Sequence, residues 1–312
     1  MFGGMPFSEA SELFAMSPAE CRGKETKVIP EKTSAVSSTL MRKAFQERGF
    51  LYPRKNIIFH CLKGGAAKTT LAYNVSFRLA QLGTRVLLVD LDKQANATYS
   101  FDVGAPKAVF VDVVVGRCKI QETLISIMEH LDLLPSSLDN ARLEMELVNV
   151  RKNPKLFYRN IFAPIRDNYD VVIFDLPPDL SHNTYFSSLF ADTICIPTTP
   201  DEYSVYGMKL TVSSIEGIQK EYADLNQDVL VIWTKLDARE KSAASYITEL
   251  QEIGKAKILP IVIRSDITFK YAQSKGKSVF QFKRKANAKD DIDLLSRELI
   301  GLSESFVQRG NT

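Results

Sequence analysis

Cysteine is scarce and unpaired: Cys21, Cys61, Cys118 and Cys195 are scattered through 312 residues with no C-x-x-C spacing. That excludes a disulfide framework and a simple zinc module. No apolar run approaches the roughly 18 to 20 residues of a membrane-crossing helix, and the first residues lack a basic-then-apolar leader pattern. The expectation is therefore a cytoplasmic protein with no membrane partner. Excess charge is also lacking, since 40 basic side chains face 37 acidic ones. A net charge of +3 does not by itself imply a polyanion partner, so any such reading must come from how charge is distributed. Internal repeats and low-complexity tracts are absent too. What remains is an ordinary globular balance, 45% hydrophobic and 25% charged, long enough for one large α/β domain with an appendage.

The chain is most informative at Lys63-Gly64-Gly65-Ala66-Ala67-Lys68-Thr69-Thr70. A strand-like run over residues 56–61 precedes it and a helix-like run over 71–82 follows. Strand, glycine loop and helix start make a phosphate cradle. Gly64 and Gly65 let the backbone turn tightly, so that amide N–H groups at the helix start point at an anion. Lys68 then supplies a point charge to the β- and γ-phosphates, and the Thr69 hydroxyl binds the magnesium ion that bridges them. Lys63 has no role in an ordinary loop of this kind, and Leu62 and Ala67 stand where glycines are usual.

From residue 55 onward strand-like and helix-like runs alternate, which predicts a doubly wound, mostly parallel sheet flanked by helices. Strands are expected at 56–61, 85–90, 131–134, 171–175, 193–196, 229–233 and 258–263. Three of them end in chemistry. Val86-Leu87-Leu88-Val89 runs into Asp90-Leu91-Asp92-Lys93-Gln94, and Val171-Val172-Ile173-Phe174 into Asp175-Leu176-Pro177-Pro178, placing carboxylates past strand termini. Ligands bind there in open α/β sheets. The second run has the form of a Walker B strand, whose aspartate holds magnesium through water. Residues 1–53 differ: helical spacing over 7–20, a polar stretch, a second helical run over 39–46, and Gly49 and Pro53 as breakers. They are expected to form a helical N-terminal extension over 1–53, preceding a P-loop domain over 54–312.

Together these motifs, with Ile196-Pro197-Thr198-Thr199-Pro200, resemble the ParA partition ATPases of the deviant Walker A class over about residues 55–306. The resemblance implies a P-loop fold, ATP and Mg²⁺ as ligands, and an ATP-sandwich homodimer in which Lys63 reaches the partner's nucleotide. It implies phosphate binding by residues 64–70, a metal held by Thr69, Asp90 and Asp175, and catalysis by Lys63, Lys68 and Asp92, with Asp92 orienting the attacking water. It further implies nonspecific binding to double-stranded DNA, which would associate the protein with the nucleoid, and hydrolysis stimulated by a ParB-like partner, moving plasmid or chromosomal DNA. Ala67 and Lys93, in place of the usual glycine and proline, leave the hydrolysis rate open.

Residues 264–289 carry eight basic side chains against the single acid Asp266. Arg264, Lys270, Lys275 and Lys277 are the candidate phosphate contacts for DNA. The first fifty residues, with seven basic and six acidic groups, resemble a shortened winged-helix segment of some plasmid ParA proteins, and a dimerisation arm fits them equally. A GTPase of the signal-recognition type is the chief alternative, because Thr234-Lys235-Leu236-Asp237 resembles its guanine-reading Asn-Lys-x-Asp. The missing asparagine and Lys63 favour ATP. A MinD-like membrane ATPase needs a basic amphipathic C-terminal helix, whereas the helical run over 290–309 is acidic. An iron–sulfur electron carrier needs paired cluster cysteines, which are missing. An ATP-binding DNA switch with little hydrolysis, or a positioner of a protein cargo, remains open.

Overall fold

The computed structural model describes residues 4–13, 35–150, 153–236, 253–282 and 285–302. A two-residue strand β1 (Met5–Pro6) leads into α1 (Phe7–Leu13), and β2 (Ala35–Val36) pairs antiparallel with β1 ahead of α2 (Ser38–Glu47). Strand β3 (Lys55–Phe59) and helix α3 (Lys68–Gln81) flank the glycine loop, followed by β4 (Val86–Asp90), α4 (Asn96–Ser100) and α5 (Phe110–Val114). Next come β5 (Ile125–Met128), β6 (Leu131–Leu134), α6 (Leu143–Val148), α7 (Pro154–Arg166) and β7 (Val171–Asp175). Helix α8 (His182–Phe190), β8 (Thr193–Thr198), α9 (Glu202–Glu221), β9 (Asp228–Leu236), β10 (Lys257–Arg264), α10 (Ile267–Gln273) and α11 (Asn287–Ile300) follow among the described residues.

Eight strands form one sheet in the order β10-β9-β8-β3-β7-β4-β6-β5, parallel throughout except for β5. The expected doubly wound sheet is therefore present. Its strands read as continuous apolar runs because both faces are covered. Ile57 and Phe59 of β3 pack under α3 and α11 with Leu71, Val75, Ile292 and Leu295. Ile58, between them, faces the opposite layer with Phe162 of α7, Phe186 of α8 and Met208 of α9. Period-2 alternation in each strand thus builds two separate cores.

Two elements differ from expectation, and a third is described only in part. Strand β5 escaped the sequence reading because its hairpin to β6 turns on Glu129-His130, with His130 at φ +67° and no glycine to mark the turn. The C-terminal helix begins three residues before the expected start and stops at Ile300, since Gly301 takes φ +72° and caps it in the left-handed region. Residues 303–309 of that expected run lie outside the described residues. Likewise α1 covers only 7–13 of the expected helix over 7–20, and the rest falls outside the description.

The described part of the N-terminal extension shares the first core rather than making its own. Met5, Phe7, Met41 and Phe45 are buried in the same cluster as α3 and α11. Arg78 of α3, itself buried, donates to Glu9 of α1 and to Asp293 of α11, fastening both to the helix that follows the glycine loop. Arg42 of α2 makes a two-point contact with Asp170, which also accepts from the Arg85 N–H and guanidinium.

Candidate functional site

The C-terminal ends of β3, β4 and β7 lie side by side, and a cavity of about 740 Å³ opens above them, lined by Gly64, Gly65, Lys68, Thr69 and Asp92. Parallel pairing puts all three loops at one edge, so residues far apart in sequence converge. Asp90 and Asp175 are register partners, which sets two carboxylates on adjacent strand ends.

Gly65 takes φ +79°, and a Cβ on either Gly64 or Gly65 would meet nothing within 4 Å. Bare backbone therefore faces open space at the mouth of the loop. Ala67 is also left-handed, at φ +75°, as the N-cap of α3, and no side chain caps the helix there. A non-glycine residue in that region costs about 1–2 kcal/mol, so a strained alanine occupies the position where the family pattern carries glycine. No side chain caps the amides of the first turn, which leaves them open toward an anion. The loop is braced from behind, because the Thr234 hydroxyl of β9 donates to the Ala66 carbonyl at 3.2 Å. Thr234 belongs to the segment that resembles a guanine-reading motif; Asp237 of that motif lies outside the described residues.

The two lysines sit differently. Lys68 is buried, and its Nζ donates to the carbonyls of Cys61 (3.1 Å) and Lys63 (3.3 Å), so the loop itself holds the ammonium at the cavity floor. Lys63 points away from Lys68: its Nζ lies 2.7 Å from both carboxylate oxygens of Asp201, the N-cap of α9. Although partial burial opposes it, this pairing with the Thr199 hydroxyl holds Asp201 below the usual carboxylate range. Asp201 was not singled out by the sequence reading, and its only signal is its place just after Pro200.

The carboxylates divide the work. Both oxygens of Asp90 are occupied: Oδ2 accepts from the Thr98 N–H and hydroxyl, and Oδ1 from the Asp92 N–H. Asp175 is completely buried and neither of its oxygens has a hydrogen-bond partner. Burial raises the pKa of both acids, and the negative charge of Asp90 raises Asp175 further, with Thr69 and Lys68 acting against it. Two adjacent buried carboxylates, only partly offset by Thr69 and Lys68, are unfavourable. A hard divalent cation with oxygen donors fits this place: Thr69 and Asp175 would hold it, with Asp90 adding negative charge alongside. No group of three or more His, Cys, Asp or Glu side chains able to hold a metal occurs among the described residues. Magnesium takes few protein ligands and completes its shell with water and phosphate oxygens.

The basic run does not form one uniform surface. Arg264 is engaged by Asp291 through its backbone N–H and guanidinium, and Lys270 lines the cavity. Lys275, Lys277 and Lys285 are exposed, Lys289 donates to the Phe282 carbonyl, and residues 283–284 lie outside the described residues.

A parallel sheet with a glycine loop between its central strand and a helix, a buried lysine at that helix start and aspartates on the flanking strand ends define a P-loop nucleotide-binding protein. A family model described as an AAA domain matches residues 54–231. The sporulation initiation inhibitor Soj of Bacillus subtilis is 31% identical over 70% of this chain and 88% of its own length. The cell division protein PomZ of Myxococcus xanthus is 26% identical over 92% of both chains. Among solved structures, a variant of Cyanothece McdA in complex with ATP superposes with a TM-score of 0.72 at 20% identity, covering 81% of this chain and 98% of that one. The chain belongs to the ParA family of P-loop partition and positioning proteins.

Proposed function

We propose that this protein is a ParA-type ATPase that binds ATP with Mg²⁺, dimerises on it, binds DNA without sequence preference and lets go after partner-stimulated hydrolysis. The observation that carries the reading is a cradle with two distinct lysines, Lys68 held by the loop carbonyls at the cavity and Lys63 paired with Asp201, together with the unpartnered Asp175.

Loop amides from 64–70 and Lys68 bind the phosphates, and Thr69 and Asp175 hold the ion, which neutralises developing charge when bound. Asp92 lines the same cavity and orients the attacking water. Lys63 exchanges its contact with Asp201 for the partner's nucleotide. The start of α9 supports a face-to-face dimer: Tyr203, Tyr206 and Leu210 project from one side of the helix and are exposed. Lys275, Lys277 and Lys285 supply the DNA contacts, and a ParB-like protein accelerates turnover. The cargo is plasmid or chromosomal DNA, or a protein assembly carried on it.

Asp92→Ala should bind ATP as the wild type does and lose about 10²- to 10⁴-fold in hydrolysis, measured by phosphate release. Normal turnover in this variant would remove Asp92 from the hydrolytic step. ATP should also compete at least tenfold better than GTP, about 1.4 kcal/mol, and the reverse order would favour the GTPase reading.

A further inference from the structure

The loop that carries Asp92 is fastened sideways by a buried polar network that no part of the nucleotide cradle explains. Ser136, just past the end of β6, is buried, and its hydroxyl donates to the Asp92 carbonyl at 2.7 Å. Its backbone N–H donates to the Thr98 hydroxyl at 2.9 Å, and that hydroxyl donates to Asp90 at 2.8 Å. From the other side the Asn140 amide donates to the Ser136 hydroxyl at 2.8 Å and accepts from the Val111 N–H. Ser136 thus closes a chain from Asp90, through Thr98, back to the main chain of Asp92.

We propose that Ser136 is a positioning residue for the hydrolytic step: its hydroxyl sets the height of the Asp92 backbone above the strand ends, and so the place of the carboxylate that orients water. The inference rests on the role assigned to Asp92 above. Three features carry it. Among the described residues, the Asp92 carbonyl otherwise accepts only from the Ala95 N–H, at 2.8 Å, in a turn whose corner, Ala95, is left-handed at φ +52°. From α4, Thr98 ties back to Asp90 rather than to the Asp92 carbonyl, so the anchor on that carbonyl from outside the turn is Ser136. Every member of the network is buried, and in a low-dielectric interior such bonds fix one geometry. Ser136 itself does not line the cavity, so it acts on substrate only through Asp92.

Displacing a reacting group by about 1 Å costs on the order of 10²-fold in rate. Ser136→Ala should therefore lower kcat by roughly ten- to a hundredfold while the dissociation constant for ATP stays within about twofold, since the phosphate loop is untouched. A purely structural loss would move both. The decisive comparison is a double-mutant cycle on the intact protein: on an Asp92→Ala background, Ser136→Ala should produce no further loss in single-turnover hydrolysis. Thr98→Val removes the hydroxyl that accepts the Ser136 N–H at nearly constant volume, and should lower kcat in the same way, with Thr98→Ser restoring it. That pair carries the test if Ser136→Ala does not fold.

Wild-type kcat in Ser136→Ala or in Thr98→Val overturns the inference alone. So does an equal fractional loss with and without Asp92. Indistinguishable hydrolysis by wild type and Asp92→Ala overturns the role of Asp92, and the positioning role falls with it.

Discussion

His60, at the last turn of chain before the glycine loop, shows how much a single buried side chain can impose. It is 1% exposed, and neither ring nitrogen has a hydrogen-bond partner. Burial, and then the nearby Lys68 ammonium, lowers its pKa from 6.5 to about 4. The folded protein holds the ring neutral, whereas the unfolded chain takes up a proton below 6.5. Stability from this group is complete above pH 6.5, is lost as pH falls, and levels off near 4. The whole difference is about 3 kcal/mol at roughly 1.4 kcal/mol per unit. Thermal unfolding followed from pH 7.5 to 4.5 should show that decline, and His60→Gln should flatten it. An equally steep decline in the variant would assign it to other groups. Lys68 is legible at this scale from sequence, because its place in the loop defines its job. His60 is not, because nothing in its neighbours along the chain reveals that both nitrogens are left without partners.

At the end of the sheet opposite the cavity, ionic contacts add to the apolar cores in fastening elements to one another. The fastening of α2 depends on Arg42, which pairs with the buried Asp170, donates to the Gly83 carbonyl and stacks 4.2 Å from the Tyr52 ring centre. Gly83 permits this closeness: it takes φ +86°, and a Cβ there would stand 2.5 Å from the Arg42 backbone nitrogen. Arg42→Ala leaves Asp170 with Arg85 alone. Losing one partner of a buried pair costs about 3–5 kcal/mol when no other remains, so with Arg85 retained about 2 kcal/mol is expected. Urea unfolding should show a lower midpoint, and limited proteolysis should cut first within residues 35–53. An unchanged midpoint would mean that α2 is held by its apolar face alone. The sequence reading found α2 from its periodicity, yet the described residues among the first fifty carry no local sign that they join the core of the P-loop domain, since the matching apolar faces belong to α3 and α11.

Across the whole molecule, one end of the sheet gathers phosphate chemistry and the proposed DNA contacts lie beyond it, on the chain that follows β10. In the proposed cycle an ATP dimer presents two copies of Lys275, Lys277 and Lys285. With about six phosphates neutralised, log affinity for duplex DNA should fall with log salt at a slope near −5. Removing those three charges should weaken binding to all sequences alike and flatten the slope, measured by fluorescence anisotropy with a slowly hydrolysed ATP analogue. Lys63→Ala should bind the analogue but sediment as a monomer and show the weak, shallow slope of one copy. A Lys63→Ala dimer with full DNA affinity would remove Lys63 from the interface.

The sequence by itself determined what is contiguous along the chain: the phosphate loop between its strand and helix, the carboxylates that end two apolar strands, and the alternation that makes a parallel sheet. These are local because one turn of backbone brings their parts together. Only the tertiary structure decided which groups are free to act. Lys63 pairs with Asp201 at a sequence distance of 138 residues, Arg264 is taken by Asp291, and Asp90 is saturated while Asp175 beside it has no partner. Ser136 reaches Asp92 only because β6 lies next to β4. Strand order and register bring such pairs together, and no spacing along the chain encodes either of them directly.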